Sequence, residues 1–163
     1  MEPSLVKTPN LNLLVATTPK IGRRMASVKS KDTAPELLVR NSLHAAGFRY
    51  RLHVASLPGT PDVVLPKYQT VVFVHGCFWH AHGTACLRKS RQAPKANVEF
   101  WQAKFAYNQD RDRRTQKALC ELGWRILVVW ECELKKSERG ATLHRLTSEV
   151  LAGEEFMERS QVD

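Results

Sequence analysis

No run in this chain of 163 residues approaches the ~20 consecutive apolar residues that a membrane-spanning helix needs. The apolar stretch at 11–16 is too short and wrongly flanked for a secretory signal. The chain is therefore expected to work inside the cell, in the cytoplasm and away from membranes. There thiols stay reduced, so no disulfide is expected among Cys77, Cys86, Cys120 and Cys132. Metal binding or plain burial remains for them. Internal repeats and low-complexity tracts are missing as well. Acids are scarce: 16 Asp and Glu face 25 Lys and Arg, for a formal net charge of +9. That imbalance points to a polyanionic partner, nucleic acid first, against the plain alternative of a soluble basic protein.

The hydrophobic share of 43% can fill the core of one domain without disulfide staples. Residues 1–20 carry Pro3, Pro9 and Pro19 without a period and read as a loose tail. A single domain is expected over 21–155, opening with a basic arm at 21–31, and a second tail over 156–163. Thr33-Ala34-Pro35-Glu36 is a helix start, with Thr33 as cap, Pro35 in the first turn and Glu36 completing a capping box. The spacing predicts a helix to Ala46 that stops at Gly47. Phe48, Tyr50, Leu52 and Val54 alternate with polar residues, as in a strand. Residues 62–65 and 70–74 are short β-branched runs that form a hairpin. A helix is expected from Val98 to Gly123, with Trp101, Phe105, Asp112, Thr115 and Leu119 on one stripe and Cys120 as a small core residue. A buried strand at 124–130 and a closing helix at 143–151 follow. The order α-β-β-β-α-β-α gives an α/β protein with a mixed sheet.

The connection at 75–96 is too long to be a plain loop in a compact domain. Its Cys77, His82 and Cys86 carry thiolate and imidazole donors, which suit zinc. A structural zinc site takes four ligands. Cys132, just past the strand at 124–130, can supply the fourth from the sheet end. Unrelated buried thiols are the alternative. Asp62 opens the first strand of the hairpin and falls nearly opposite Val74 and His75. A carboxylate and a backbone carbonyl converging there are hard oxygen ligands of the kind Mg²⁺ takes. Two such ions can activate a water and stabilise the leaving oxygen at a phosphodiester. His80 suits a general base or acid, and Glu36 can orient it. The plain readings are a turn residue for Asp62, a capping-box partner for Glu36 and zinc ligation for His75 and His80. Phe78 and Trp79 are either core or a wedge of the type inserted between base pairs.

Seven motifs place these residues together. They are Asp32-Thr33-Ala34-Pro35-Glu36, Leu57-Pro58-Gly59-Thr60-Pro61-Asp62, His75-Gly76-Cys77-Phe78-Trp79-His80, Glu99-Phe100-Trp101, Asp110-Arg111-Asp112-Arg113-Arg114, Leu122-Gly123-Trp124-Arg125 and Val129-Trp130-Glu131-Cys132. Over about residues 23–135 the chain resembles the bacterial very-short-patch-repair (Vsr) mismatch endonucleases. The resemblance implies a restriction-endonuclease-like three-layer α/β/α sandwich that nicks DNA on the 5′ side of the T in a T·G mismatch. It implies that Asp62 holds catalytic Mg²⁺, with the Val74 carbonyl beside it. His80 would activate water with support from Glu36, and His75 would assist at the phosphate. Cys77, His82, Cys86 and Cys132 would bind a structural zinc. Phe78, Trp79 and Trp101 would form the wedge, with Met25 pressing in from the other groove. A monomer and a MutL-type repair partner follow by analogy. Two departures stand out: Val74 replaces the usual Thr, and the segment from His82 to Cys86 is longer than in the tightest form of the motif. The rival readings are a restriction-type nuclease for a paired site and a zinc-stabilised DNA-binding module without catalysis.

Overall fold

The computed structural model describes residue 29, residues 31–83, residue 86 and residues 97–160, with side chains to position 153. The expected N-terminal tail, most of the basic arm, Met25 and residues 161–163 lie outside these residues. Helix α1 spans Ala34–Ala45. Its start is the expected one: the Thr33 hydroxyl accepts the Glu36 N–H at 3.5 Å and Pro35 sits in the first turn. Its end is also the expected one. Gly47, at φ +89°, takes the left-handed turn that frees the chain from the helix. The buried face is Glu36, Val39, Arg40 and Leu43, a spacing of one helical face with two charges on it.

Strands β1 (Val63–Leu65) and β2 (Thr70–His75) form the expected antiparallel hairpin, with Val63 opposite Val72 and Leu65 opposite Thr70. A 3₁₀ turn at Pro66–Tyr68 and left-handed Gln69 connect them. Helix α2 spans Val98–Glu121, and β3, Arg125–Trp130, follows it. β3 pairs parallel with β2, from Thr70 opposite Arg125 to His75 opposite Trp130. The three-stranded sheet has the order β1-β2-β3 and is mixed. A second 3₁₀ turn, Glu131–Leu134, leads to α3, Arg139–Ser160. That helix runs past position 155, where the domain was expected to close.

The strand expected at 48–54 is not formed. Its only ladder contact is one bridge from Arg51 to Val64, with both N–H···O bonds at 2.8 Å. His53 has φ +46°, which turns the chain away from β1 after a single pairing. The order is therefore α-β-β-α-β-α.

Alternation along the strands explains the layering. Val63, Leu65, Val72 and Val129 pack with Val39 and Leu43 of α1 and Leu146 and Val150 of α3. Val64, Val71 and Phe73 face the other way and pack with Leu119 of α2. Helices thus cover both faces, which is why the central strand reads as a continuous apolar run. The expected stripe on α2 holds at its centre but not at its ends. Val98 is 44% exposed and Leu122 56%. Cys120, expected in the core, is exposed, because the stripe through Leu119 turns its neighbour outward. Among the described residues no helix is long and apolar enough to cross a membrane.

Leu43→Ala empties a fully buried site and is expected to cost ~2–5 kcal/mol in urea unfolding. Leu37→Ala, on the exposed face of the same helix, is expected within ~0.5 kcal/mol of the parent protein. Equal losses in the two variants would mean that this face assignment is wrong.

Candidate active site and metal centre

Because β2 and β3 are parallel, the segments that follow them leave from one edge of the sheet. The segment after β2 turns at once. His80 N–H bonds the Gly76 carbonyl at 3.2 Å and His82 N–H the Cys77 carbonyl at 3.1 Å, with Ala81 left-handed at φ +48°. These turns carry Cys77 and His82 towards Cys132, which begins its own turn after β3. Cys77, His82, Cys86 and Cys132 offer donor atoms all within 4.8 Å of one another. Cys132 Sγ lies 3.4 Å from His82 Nδ1. The structure therefore brings together all four residues that the sequence singles out. Burial pushes the Cys77 thiol up to about 12, and the neighbouring thiols Cys132 and Cys86 add to the shift. Three thiols and an imidazole crowded in this way, Cys77 and Cys132 among them buried, suit a thiophilic cation in tetrahedral coordination. The His82 ring stacks on Trp130 at 3.8 Å with a 2° tilt, which fixes the imidazole plane.

The other half of the site is a cleft of about 820 Å³ whose walls include Asp62, Val74, His75, His80 and Asp112. Asp62 Oδ2 accepts the Val74 N–H at 2.7 Å. A strand residue sends its N–H and C=O to the same edge, so the Val74 carbonyl shares that edge with Asp62. Burial holds the Asp62 carboxyl above its usual range, against the lowering effect of the Val74 hydrogen bond. A partly desolvated carboxylate beside a carbonyl is a donor set that fits a hard divalent cation. His75 and His80 stack face to face at 3.8 Å with a 5° tilt. Burial lowers His75 to about 4, and the His80 charge acts in the same direction.

His80 Nδ1 lies 2.5 Å from Asp112 Oδ2. Burial raises the Asp112 carboxyl, but the hydrogen bond and charge of His80 outweigh it, and the net shift is downward. The partner of His80 is thus Asp112, which the sequence offers as a member of a helical stripe and of the motif Asp110-Arg111-Asp112-Arg113-Arg114, without a role at the site. Its signal was an acid on the inward face of α2, in phase with Phe105 and Leu119. Glu36, expected behind His80, is engaged elsewhere. It accepts from the Asp32 N–H at 3.0 Å, from the Thr33 hydroxyl at 2.8 Å and from Arg40 Nη2 at 2.7 Å. It lines the same cleft from the α1 side, as do Lys29 and Lys31.

Phe78 packs edge-on against Trp79, Trp101 and Phe105, with ring centroids 5.1, 5.1 and 5.3 Å away. The three expected aromatics meet in one cluster, and Phe105 joins them. Trp101 is buried and supports the group, while Phe78 and Trp79 are half-buried. Asn108 anchors the turn from α2 by donating to the Trp79 carbonyl at 2.7 Å.

Comparison with known proteins shows the family. The family model described as "DNA mismatch endonuclease Vsr" matches residues 15–86. A type II nicking enzyme of Xanthomonas oryzae pv. oryzae, V.XorIIP, is 49% identical over 122 residues, 75% of this chain and 85% of that protein. The type II nicking enzyme V.NmeAIP of Neisseria meningitidis is 44% identical over 137 residues, 83% and 95% of the two chains. The DNA mismatch endonuclease Vsr of Escherichia coli is 41% identical over 129 residues, 79% and 76% of the two chains. With identity of this level over most of its length, the chain is a DNA endonuclease and belongs to the Vsr family.

Proposed function

We propose that this endonuclease nicks one strand of duplex DNA on the 5′ side of the T in a T·G mismatch, with Mg²⁺, and so opens very short patch repair. The fold would be a restriction-endonuclease-like sandwich of three layers. The observation that carries the reading is the His80–Asp112 pair at 2.5 Å, set in the same cleft as the Asp62 carboxylate. Asp112 accepts a hydrogen bond from His80 Nδ1–H, which fixes the tautomer and leaves the lone pair on Nε2 to accept a proton from the attacking water. His75, held by its stacking on His80, stands beside the scissile phosphate. Asp62 and the Val74 carbonyl hold Mg²⁺. This role asks nothing of the Val74 side chain, so Val serves as well as Thr. Bound there, Mg²⁺ supplies positive charge for the phosphoryl oxygens and makes water easier to deprotonate.

The nicking activity named for two of the relatives supports cutting of one strand. Phe78 and Trp79, backed by Trp101, would enter the base stack. Unstacking costs on the order of a few kcal/mol per step. A T·G wobble is easier to open than a matched pair, and this difference is the physical source of selectivity. Cys77, His82, Cys86 and Cys132 bind zinc, which secures the turn that carries the aromatics and His80.

In Mg²⁺ the protein is expected to nick a T·G duplex and to leave the matched duplex largely intact. Equal rates on the two would remove mismatch selectivity. Asp62→Ala is expected to abolish nicking while DNA binding, followed by gel shift, persists. Asp112→Asn is expected to lower the single-turnover rate by ~10²–10⁴-fold. A rate close to that of the parent protein would exclude Asp112 as the partner that orients His80. Cys77→Ala and Cys132→Ala are each expected to lose one zinc per chain by metal analysis and to unfold at lower urea. Unchanged zinc in both would refute the ligand set.

A further inference from the structure

On the α1 side of the cleft, Asp32, Glu36 and His53 offer donor atoms within 4.8 Å of one another. A divalent cation would use such an arrangement, but a cation of another kind already stands there. Arg40 Nη1 reaches Asp32 Oδ1 at 2.5 Å, and Nη2 reaches Glu36 Oε2 at 2.7 Å and His53 Nε2 at 2.8 Å. A guanidinium only donates. His53 Nε2 therefore accepts, and its ring proton sits on Nδ1. Arg40 and Glu36 are each 4% exposed, whereas the Asp32 side chain is 65% exposed.

Stability alone gives no reason for this group. An ion pair buried so deeply is often no better than a well-packed apolar pair of the same volume. α1 could bury two leucines on that face and lose nothing in packing. The fork does have one specific geometric effect. Glu36 is fixed at both oxygens, Oε2 by Arg40 and the Asp32 N–H, and Oε1 by Thr33. A carboxylate bound in this way has one rotamer. Glu36, His53 and Asp62 line the same cleft. His53 is itself in a left-handed conformation, φ +46°, at the bend where the chain leaves β1. Arg40 therefore links α1, that bend and the acidic wall of the cleft.

We propose that Arg40 is a positioning residue for the nuclease reaction: its guanidinium fixes Glu36, with Asp32 and His53, as the acidic wall of the cleft that holds Asp62, and fills the place another cation would take. This rests on the reading of that cleft as the catalytic site. Arg40 does not touch the DNA or the reacting atoms, and it acts through Glu36.

The test is single-turnover nicking and DNA affinity, measured on the full chain for Glu36→Gln, Arg40→Met, Arg40→Lys and the Glu36→Gln/Arg40→Met double variant. Arg40→Met is expected to slow nicking by ~10–100-fold while DNA affinity stays within ~3-fold, since misplacement of a catalytic group costs rate rather than binding. Arg40→Lys, which keeps the charge without the fork, is expected to recover only part of the rate. The double variant is expected to be no slower than Glu36→Gln alone, because both changes act on one group. A parental rate for Arg40→Met, or losses that multiply in the double variant, would overturn the proposal. Asp32→Asn removes the exposed arm of the same fork and covers the case in which Arg40→Met does not fold. It is expected to show a smaller loss that again vanishes in the Glu36→Gln background, and a loss that multiplies there would also overturn the proposal. If Glu36→Gln nicks at the parental rate, the carboxylate that Arg40 fixes does not matter to the reaction and the proposal fails. Asp62→Ala reports separately on the cleft: full activity in that variant would sink the catalytic reading itself.

Discussion

Parallel pairing of β2 with β3 in a single register is the constraint on which the rest of the molecule depends. With His75 opposite Trp130, both strands end at the same edge of the sheet. Cys132 and His82, 50 positions apart in the chain, therefore meet at 3.4 Å. A parallel pair cannot close with a tight turn and needs a crossover. That crossover is α2, and its path across one face of the sheet brings Asn108 to the Trp79 carbonyl and Asp112 to His80. A slip of one residue between β2 and β3 would turn every side chain on one strand to the opposite face. It would separate the thiols, release the His82 ring from Trp130 and withdraw Asp112 from His80 together. The buried valines Val71, Val72 and Val129, on alternating faces, make that slip costly.

Within this frame the short segment 75–82 serves several ends because its turns alternate direction. Cys77 and His82 face the thiol cluster, whereas Phe78 and Trp79 face α2. His75 and His80 meet between them in a parallel stack. Trp130 borders both groups. It lies flat on His82 and edge-on to His75, with ring centroids 3.8 and 5.2 Å away. A cation in the thiol cluster and the geometry of the stacked imidazoles thus share one rigid ring. Residues so interleaved cannot be optimised separately, and a shift in one group moves the others.

Much of this was legible in the sequence, for physical reasons that differ from element to element. Helix α1 was legible because its cap, first-turn proline and closing glycine are local signals, each set by backbone chemistry within a few residues. The hairpin was legible because β-branched runs flank Pro66 and a short turn. The thiol cluster was legible because cysteine and histidine are the donors that thiophilic cations require, whatever their order in the chain. Long-range choices were not. The strand expected at 48–54 had the right alternation, but β1 offers only three residues, and left-handed His53 ends the pairing after Arg51. Alternation reports a half-buried surface and not the presence of a partner. Glu36 was assigned to His80 on chemical type. In space Arg40, one helical turn away, is the nearer claim on it, and Asp112 stands closer to the histidine. Cys120 was placed inside by composition, while the phase of α2 turns it outward.

The charge distribution carries one further consequence. The chain as a whole is strongly basic, with a net charge of +9, and at long range it attracts a polyanion. The cleft itself combines Lys29, Lys31 and Arg111 with Asp62, Glu36 and Asp112. A phosphodiester drawn in by the outer field therefore meets carboxylates at the point where it would react. Arg40 neutralises Glu36, and His80 partners Asp112. No ion pair to Asp62 is found among the described residues; its hydrogen bond comes from a backbone N–H. Compared with Glu36 and Asp112 it has the least compensation, and burial makes its ionised form costly. A divalent cation at Asp62 would remove that cost and turn a repulsive charge in the path of the phosphate into an attractive one. A cation bound at this position would thus be favoured by the electrostatics of the cleft as well as by the chemistry proposed for it.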